Sequence, residues 1–473
     1  MEGIKFGTDG WRGIIAKDFT FFNIDRVAQA IADYYRAQGT GEKGLAVGYD
    51  NRFLSFEFAR EVSEVLAGNG IPVRLSSRSL PTQCISFAAK HKDLAGGIMI
   101  TASHNPPEFN GVKIKCPFGG SAPAQVTDEI ESFLDKSRIR KISLEEGERK
   151  GLIKKEDLVG EYLEKVGSFL DEDVIKRAHL KIIYDPMFGV GTGLIERLLA
   201  FSKCRITEIH STYNPGFGGI NPEPIEENLL SLKEKVRREG ADLGIATDGD
   251  ADRVGVVDET GTYLNPHQVF SLLLLYLIEE KGKKGGVAKT VSLGFQPERI
   301  AEEFGLPLEE TPVGFKHICE KMLKGQVFFG GEESGGYGYR DHLPERDGLL
   351  SSLLLVEMLT RKEKPLSVIL KEMEDRFGRS FFKRVDLKRE RLINKEKMVE
   401  EFSSCPPSFA GGIAVKEVKT IDGVKFVMED GSWLLLRPSG TEPKMRVYAE
   451  SSDKQKLARI VEEGLAMARK INV

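Results

Sequence analysis

Short apolar segments alternate with charged amphipathic segments along most of the chain. Three stretches repeat one order: a charged helix, a glycine-containing turn, a short apolar strand and a polar loop. The predicted strands cover residues 98–100, 242–246 and 326–329, and the loops after them cover residues 101–105, 247–253 and 330–336. Apolar strands between helices indicate sheets covered on both faces, so each stretch predicts an α/β layer. Ligands bind at the C-terminal edges of such sheets, so we expect the three loops to converge in one cleft.

The C-terminal part of the chain follows a different pattern. Strands separated by Asp-Gly and Pro-Ser-Gly turns are predicted at residues 412–418, 423–428, 433–436 and 445–449, with a helix over 453–471. This order predicts a smaller α+β domain. Domain boundaries are expected in the charged stretches around 150–155, 258–261 and 376–383.

Length and charge limit the function classes. The chain has 473 residues, which at about 150 residues per domain favours roughly three domains. Hydrophobic residues make up 40% and charged residues 30%, as in ordinary soluble globular proteins. The formal net charge is −4, so no bulk positive field is available to hold nucleic acid or an anionic membrane.

The sequence predicts no membrane-spanning helix, no signal peptide and no cysteine-based disulfide framework or zinc site. The longest apolar run, residues 272–278, is far shorter than the roughly 20 residues of a membrane-spanning helix. The N-terminus carries acids and glycines where a signal peptide has an apolar block, so a cytoplasmic protein is expected. The 5 cysteines are scattered and predict neither a disulfide framework nor a zinc site.

Two glycine-rich segments imitate nucleotide-binding loops without completing them. Residues 189–194 lack the third glycine of G-x-G-x-x-G, because Leu194 stands there. Residues 285–290 end in Lys-Thr but lack the glycine that precedes lysine in a Walker A loop. NAD and ATP are therefore not expected.

Three aspartates suggest a metal site. Asp248, Asp250 and Asp252 alternate with small residues, so in an extended loop their carboxylates point to one side. A divalent cation relieves the repulsion among such charges, and ligation by oxygen alone suits Mg²⁺. A calcium EF-hand is the competing interpretation, because Glu259 stands at the twelfth position of a loop beginning at Asp248. Arg253 occupies the sixth position, where an EF-hand needs glycine, so magnesium is favoured over an EF-hand or a solvated acidic turn.

Ser103 and His104 form a candidate nucleophilic pair. They lie in a loop that two consecutive prolines make stiff. The Gly-x-Ser-x-Gly elbow of α/β-hydrolases is absent around every serine, so Ser-His alone is weak support. Lys113, on the predicted strand 111–115, could return its amine to this loop, although an isolated lysine is more typical of the surface.

Glu332 and Ser334 stand among glycines that leave room for a ligand to approach the backbone. A carboxylate with a hydroxyl suits vicinal sugar hydroxyls. Helix capping by Ser334 is the structural alternative.

The segment with Arg437, Ser439, Gly440 and Thr441 combines a guanidinium, two hydroxyls and a flexible backbone N–H in one turn. Phosphate is the anion that fits these donors best. A plain β-turn with an exposed arginine is the alternative.

Together the four loops resemble the signature loops of the α-D-phosphohexomutases. They read Thr-Ala-Ser-His-Asn-Pro at 101–106, Asp-Gly-Asp-Ala-Asp-Arg at 248–253, Gly-Glu-Glu-Ser-Gly-Gly at 331–336 and Arg-Pro-Ser-Gly-Thr at 437–441. They follow the family's order over the whole chain. The resemblance implies the family's α/β fold, with three similar mixed-sheet α/β domains plus a smaller C-terminal α+β domain around a central cleft. The resemblance implies four domains: residues 1–152 with the phosphoserine loop, 153–258 with the metal-binding loop, 259–376 with the sugar-binding loop and 377–473 with the phosphate-binding loop.

The resemblance also implies a mechanism. Ser103 would carry a phosphoryl group, and one Mg²⁺ per chain would lie between its oxygen and Asp248, Asp250 and Asp252. Phosphoserine would donate to a hexose phosphate, giving a 1,6-bisphosphate that turns over and returns its other phosphate. The resemblance assigns His104 and Lys113 to proton transfer and places Arg12 in the catalytic set. Glu332 and Ser334 would bind the sugar hydroxyls. The other substrate-binding residues that the resemblance implies are Arg253, Lys316, Arg437, Ser439, Gly440 and Thr441.

The third loop bears on the sugar. Glu-Glu-Ser-Gly-Gly resembles the glucose-type loop, whereas mannose-leaning and glucosamine members more often end it in His, where Gly336 stands here. The implied activity is that of a phosphoglucomutase/phosphomannomutase, which is an isomerase. Glucose phosphate is the favoured substrate and mannose phosphate the second, with glucose 1,6-bisphosphate as activator and intermediate. Phosphoglucosamine mutase is the alternative, followed by a phosphomonoesterase and a non-catalytic relative that binds a sugar bisphosphate. No oligomeric state follows from the sequence.

Overall fold

The fold is taken from a computed structural model, which describes residues 4–7, 10–439 and 443–471. The chain divides into two compact units. Unit 1 comprises Met1–Leu264, Cys319–Gly325 and Gly335–Ser367, and unit 2 comprises Asn265–Ile318, Gln326–Ser334 and Val368–Val473.

The first sheet of unit 1 is mixed and carries the serine loop. Its strands are β1 (Trp11–Ile14), β2 (Leu45–Tyr49), β3 (Val73–Ser76), β4 (Gly96–Ile100), β5 (Phe109–Lys115) and β6 (Ile153–Glu156), in the order β1-β5-β4-β2-β3-β6. The helices of this region are α1 (Phe21–Ala37), α2 (Ser55–Gly68), α3 (Thr82–His91), α4 (Ala124–Ser132) and α5 (Leu144–Arg149). Strands β2, β3, β4 and β6 run parallel, while β5 is antiparallel to β4 and to β1. The serine loop therefore joins an antiparallel pair at the C-terminal end of β4.

The second sheet of unit 1 carries the aspartate loop. Its strands are β7 (Lys181–Asp185), β8 (Arg205–Glu208), β9 (Leu243–Thr247), β10 (Val254–Asp258) and β11 (Tyr263–Leu264), in the order β11-β10-β9-β7-β8. The helices of this region are α6 (Gly160–Phe169), α7 (Glu172–Arg177), α8 (Leu194–Leu198) and α9 (Leu230–Glu239). Strands β9 and β10 are antiparallel, so the loop between them lies at the C-terminal end of β9. Its position matches that of the serine loop after β4.

Unit 2 begins with a parallel sheet. Its elements are α10 (Pro266–Glu279), β12 (Gly286–Thr290), α11 (Gln296–Glu303), β13 (Leu308–Thr311) and β14 (Val327–Gly331), and β12 pairs in parallel with both β13 and β14. Helix α12 (Phe315–Leu323) begins in unit 2. The elements that follow belong to unit 1: the antiparallel strands β15 (Tyr337–Tyr339) and β16 (Leu343–Arg346) and helix α13 (Gly348–Lys362). Helix α14 (Leu366–Phe377) leads back into unit 2. The apolar run 272–278 lies in α10, which is largely buried. Across the described ranges, no helix is long and apolar enough to cross a membrane.

The C-terminal sheet of unit 2 is antiparallel throughout. Its strands are β17 (Phe381–Lys388), β18 (Phe409–Ala410), β19 (Ile413–Lys419), β20 (Val424–Met428), β21 (Trp433–Pro438) and β22 (Lys444–Ser451), in the order β17-β22-β21-β20-β19-β18. Two helices, α15 (Lys395–Ser404) and α16 (Lys454–Lys470), complete the region. Buried Phe426, Leu434 and Val447 of the sheet share a core with Ile460 of α16. The predicted α+β domain is confirmed.

The predicted fold class is confirmed, and the differences concern charged strands. Strand β17 and helix α15 were not predicted, because the charged side chains of residues 381–388 alternate without a clear apolar face. The boundary placed after residue 152 falls just before β6, whose Ile153 is buried while Lys154 and Lys155 are exposed. That strand pairs with β3, so the first sheet reaches Glu156. Similarly, the second sheet reaches Leu264, beyond the boundary placed at 258. The four sets of domain limits stay a prediction.

A buried ion pair joins β5 to β16 within unit 1. The Lys115 ammonium donates to Glu345, and both side chains are 0% exposed. Ser121 Oγ lies 3.0 Å from Lys115 Nζ and 3.1 Å from the same Glu345 oxygen, Oε2. Removing one member of such a pair leaves an uncompensated buried charge, which is costlier than losing the pair as a whole.

We therefore expect Glu345→Leu to lower the free energy of unfolding by about 3–5 kcal/mol, measured by denaturant titration. The double variant Lys115→Met/Glu345→Leu should recover much of that loss. Glu172→Leu is the matched control, since Glu172 pairs with Lys176 at 2.6 Å on the exposed side of α7, and it should change little. A Glu345→Leu protein as stable as the wild type would show that the pair does not hold these strands together.

Candidate active site

Ser103 is held in a strained and fixed conformation after β4. Its φ is 54°, in the left-handed region that non-glycine residues seldom adopt. Its backbone N–H donates to Thr101 Oγ1 at 2.9 Å, and the Thr101 hydroxyl donates to Asp50 Oδ2 at 2.6 Å. Strain of this kind persists only where surrounding contacts enforce it, and it clusters at functional sites.

Arg52 supplies most of those contacts. Its side chain is 0% exposed and pairs with Asp50 at 3.2 Å. Its guanidinium donates at 2.6–3.0 Å to the backbone carbonyls of Ser103, Asn105, Pro106 and Phe109. The sequence analysis missed Arg52, although Asp-Asn-Arg directly after the C-terminal end of β2 is a polar signal at the edge where ligands bind.

The three aspartates converge as predicted, but through a turn and not an extended loop. The Ala251 N–H donates to Asp248 O at 3.0 Å, and the φ of Ala251 is 62°. One oxygen from each of Asp248, Asp250 and Asp252 lies within 4.8 Å of the others, and all three side chains are buried. The turn brings the carboxylates closer than strand-like alternation would.

Cations lie against these carboxylates. Lys113 Nζ is 2.8 Å from Asp250 Oδ2 and 3.3 Å from Asp252 Oδ2, and the lysine is 2% exposed, so it is not a surface residue. Arg346 Nη2, which the sequence analysis did not single out, is 2.8 Å from Asp252 Oδ2. Burial and the other two carboxylates raise the pKa of Asp248 well above its usual range. Burial also acts on Asp250, but Lys113 holds the pKa of that carboxyl below its usual range.

The serine and the aspartates form one cluster. Ser103 Oγ donates to Asp248 Oδ2 at 2.9 Å, and His104 Nδ1 lies 3.4 Å from the same hydroxyl. Burial, together with the guanidinium groups of Arg253 and Arg12, lowers the pKa of His104 well below its ordinary value, so the imidazole is neutral at pH 7.

Two of the predicted cations frame this cluster. Arg253 donates its backbone N–H to Asp248 Oδ1 at 3.0 Å, and its Nε lies 3.9 Å from Asp252 Oδ1. Arg12 Nη1 donates to Asn105 Oδ1 at 2.6 Å. The structure therefore brings together, within unit 1, every residue that the sequence placed in the serine and aspartate loops.

The aspartate cluster fits a hard divalent cation. Asp250 Oδ1 and Asp252 Oδ1 are buried atoms without a hydrogen-bond partner in the described part of the chain. Oxygen donors in this number suit Mg²⁺, which keeps further positions for water or phosphate oxygens. Glu259 is not among the donors, because its carboxylate accepts the Ser367 N–H at 3.2 Å. This contact removes the ligand that an EF-hand would need.

Unit 2 holds the residues predicted to bind the sugar. Glu332 is 4% exposed, and its Oε1 accepts the Gly314 N–H at 3.0 Å. Ser334 Oγ is buried and has no hydrogen-bond partner among the residues described, so it caps no helix there. Lys316 lies in the first turn of α12 and is partly exposed.

The predicted phosphate loop begins at the end of β21. Arg437 Nε is 2.7 Å from Asp422 Oδ2, and the Ser439 N–H donates to Lys444 O at 2.9 Å. Gly440 and Thr441 lie outside the described residues. Asp422 was missed because Ile-Asp-Gly between two strands is typical of a simple hairpin turn.

Comparison with protein families gives a match over almost the whole chain. Four phosphoglucomutase/phosphomannomutase families match in order: alpha/beta/alpha domain I over residues 3–141, domain II over 160–261, domain III over 265–377 and the C-terminal domain over 383–466. These matches agree with three α/β domains followed by a different C-terminal one.

Individual relatives carry names of different sugars. A phosphoglucomutase of Komagataeibacter xylinus is 30% identical, covering 95% of this chain and 88% of the relative. A probable phosphoglucosamine mutase of Methanosphaera stadtmanae is 32% identical, covering 96% of each. The crystal structure of a putative phosphomannomutase from Thermus thermophilus has a TM-score of 0.87 and 36% identity, covering 98% of this chain and 99% of the other. The chain therefore belongs to the phosphoglucomutase/phosphomannomutase family of the α-D-phosphohexomutases, whose members are isomerases that transfer phosphoryl groups.

Proposed function

We propose that the protein is a phosphohexomutase that interconverts hexose 1-phosphate and hexose 6-phosphate through phosphoserine at Ser103 and a hexose 1,6-bisphosphate. One observation carries the proposal: the Ser103 hydroxyl lies 2.9 Å from Asp248 Oδ2 in a buried group of three carboxylates. A strained serine beside a cation-binding cluster suits phosphoryl transfer, in which positioning and charge stabilisation supply most of the catalysis.

The proposed cycle has two transfers. In the first, the bond between phosphorus and Ser103 Oγ breaks as a sugar hydroxyl oxygen bonds to phosphorus, and the hydroxyl loses its proton while Oγ gains one. In the second, Ser103 Oγ attacks the other phosphate of the bisphosphate, loses its proton, and the sugar oxygen regains one. His104, whose Nδ1 is neutral and 3.4 Å from Oγ, takes the proton of the attacking sugar hydroxyl and passes it to Oγ in the first transfer. In the second transfer it takes the proton from Oγ and returns it to the sugar oxygen. Lys113 takes part in the same proton transfer, and its ammonium group stabilises the charge that develops on the departing oxygen.

The aspartates and the serine oxygen would hold one Mg²⁺ per chain. Bound there, the ion supplies Lewis-acid stabilisation of phosphoryl charge. The chain's own part is to keep Asp248, Asp250 and Asp252 together in the turn. Arg253 and Arg12 add the positive charge that an anionic substrate needs.

The other proposed substrate-binding residues belong to unit 2. Glu332 and Ser334 would hold sugar hydroxyls in both orientations, with Lys316 beside them. Arg437 would hold the phosphate that is not reacting, because a guanidinium binds phosphate by paired hydrogen bonds. Ser439, Gly440 and Thr441 complete that phosphate loop in the proposal.

Gly336 supports a glucose-type sugar loop. A Cβ atom at this position would lie 2.3 Å from Arg346 Cδ, so a histidine there would displace the arginine that binds Asp252. We therefore propose glucose phosphate as the favoured substrate and mannose phosphate as the second. Phosphoglucosamine mutase is the alternative, because a relative of 32% identity bears that name. Comparing the three sugar phosphates in one coupled assay, with glucose 1,6-bisphosphate present, decides between them.

Ser103→Ala should remove both phosphorylation and turnover. Intact-mass analysis of freshly purified wild-type protein is expected to show a fraction about 80 Da heavier, the mass of a phosphoryl group, and the variant should lack it. Ser132→Ala, at an exposed serine that ends α4, is the control and should keep both properties. Full activity in the Ser103→Ala protein would end the phosphoserine hypothesis.

Metal removal should stop the reaction. Without a divalent cation, the phosphoryl group and the three carboxylates repel one another, so exhaustive treatment with EDTA should reduce turnover to background and added Mg²⁺ should restore it. EDTA already saturated with Mg²⁺ is the control. An unchanged rate after metal removal would mean that the aspartates form a structural turn only.

Arg437→Met should weaken substrate use without preventing phosphorylation of Ser103. Hydrogen bonds to a charged group are strong, so kcat/KM is expected to fall by about one to two orders of magnitude in steady-state assays. Arg459→Met, at an exposed arginine of α16, is the matched control. If both variants kept wild-type kcat/KM, the loop after β21 would be no phosphate site.

A further inference from the structure

Asp422 connects elements that the proposed function assigns to the substrate. It lies in the turn between β19 and β20 and is 4% exposed. Its Oδ2 accepts from Arg437 Nε at 2.7 Å and from the Val313 N–H at 3.0 Å, while the Lys395 ammonium donates to its Oδ1. Both carboxylate oxygens are therefore engaged, and all of these partners belong to unit 2.

The contact with Arg437 fixes the direction of its guanidinium. The group is planar, so binding Nε on one edge decides where the two terminal nitrogens point. Asp422 is the partner that the structure gives to this side chain within the described ranges. Asp422 therefore sets the orientation in which the terminal nitrogens of Arg437 would meet an anion.

The contact with Val313 continues toward the sugar loop. The next peptide, at Gly314, donates its N–H to Glu332 Oε1 at 3.0 Å. Two successive backbone N–H groups therefore bind the two carboxylates, Asp422 and Glu332. A single peptide unit therefore connects the two carboxylates.

Asp422 is ionised in this setting. Burial acts against the charged form, but Arg437 and Lys395 hold the pKa of the carboxyl below its usual range. Asp430, in the next hairpin turn of the same sheet, offers a comparison: it accepts the Ser432 N–H at 3.0 Å and pairs with Lys456 at 2.7 Å. Asp430 likewise binds a backbone N–H and a lysine, but it is exposed, and neither of these partners is assigned to the substrate.

We infer that Asp422 is a positioning residue that aligns Arg437 with the Val313–Gly314 segment and Glu332. Asp422 thereby couples recognition of the phosphate that is not reacting to recognition of the sugar hydroxyls. The inference rests on the proposed function, which gives Arg437 and Glu332 their roles. It assigns no contact with substrate to Asp422 itself. Contacts within the protein hold this arrangement, which reduces the ordering that substrate binding requires.

The test measures binding of glucose 1,6-bisphosphate by calorimetry in a Ser103→Ala background, where phosphoryl transfer cannot occur. Adding Asp422→Ala should weaken binding about ten-fold, because Arg437 loses its charge-assisted partner. Adding Arg437→Met should weaken it at least as much. The combination Asp422→Ala/Arg437→Met should bind within about two-fold of Arg437→Met alone, since Asp422 acts through Arg437.

Two further variants separate positioning from stability. Asp430→Ala removes an exposed turn carboxylate of the same sheet and should leave binding unchanged. Asp422→Asn keeps an acceptor oxygen for Arg437 and Val313, so it should lose less affinity than Asp422→Ala, and it decides the question if the alanine variant does not fold.

The possible outcomes are distinct. Parental affinity in both Asp422 variants, or effects of Asp422→Ala and Arg437→Met that multiply, would overturn the positioning role. An equal loss in Asp430→Ala would also overturn it, by showing a general effect of the sheet. Failure of the protein with an intact Ser103 to isomerise any hexose phosphate would instead contradict the proposed function, whatever the binding variants show.

Discussion

The repulsion among three buried carboxylates governs the chemistry of unit 1. Asp248, Asp250 and Asp252 lie in one turn, away from solvent, where like charges interact strongly. The turn is stable because cationic side chains reach it from other elements: Lys113 from β5 and Arg346 from the end of β16. The serine loop meets the same cluster, because the Ser103 hydroxyl donates to Asp248 Oδ2.

Charge balance explains why such a cluster suits phosphoryl transfer. Lys113, Arg253 and Arg346 offset the three carboxylates, so a phosphoryl group on Ser103 would bring a further charge of about −1.5 to −2. A divalent cation restores the balance and could bind Asp250 Oδ1 and Asp252 Oδ1, two buried oxygens that accept no hydrogen bond from the described residues. In unit 2, a single buried carboxylate, Asp422, binds Arg437, the arginine proposed to hold phosphate.

The sequence predicted the functional loops more accurately than the residues that hold those loops in place. Short apolar strands followed by polar loops are local patterns. β4 ends at the predicted residue 100, while β9 and β14 end at 247 and 331, one and two residues beyond their predicted ends. Lys113 resembled a surface lysine because its carboxylate partners lie 137 and 139 residues away along the chain. Arg52 binds backbone carbonyls, which leave no signature in a sequence, and Asp422 has the appearance of an ordinary turn residue. Residues that act through tertiary contacts were therefore missed, whereas residues in compact motifs were found.

The most direct test of the account follows the phosphoryl group itself. Protein labelled with radioactive phosphate at Ser103 is mixed with unlabelled glucose 6-phosphate in a single turnover, and the products are separated. The account predicts that the label leaves the protein and appears in glucose 1,6-bisphosphate. Release of the label as inorganic phosphate, without labelled bisphosphate, would contradict the mutase mechanism and indicate a phosphomonoesterase.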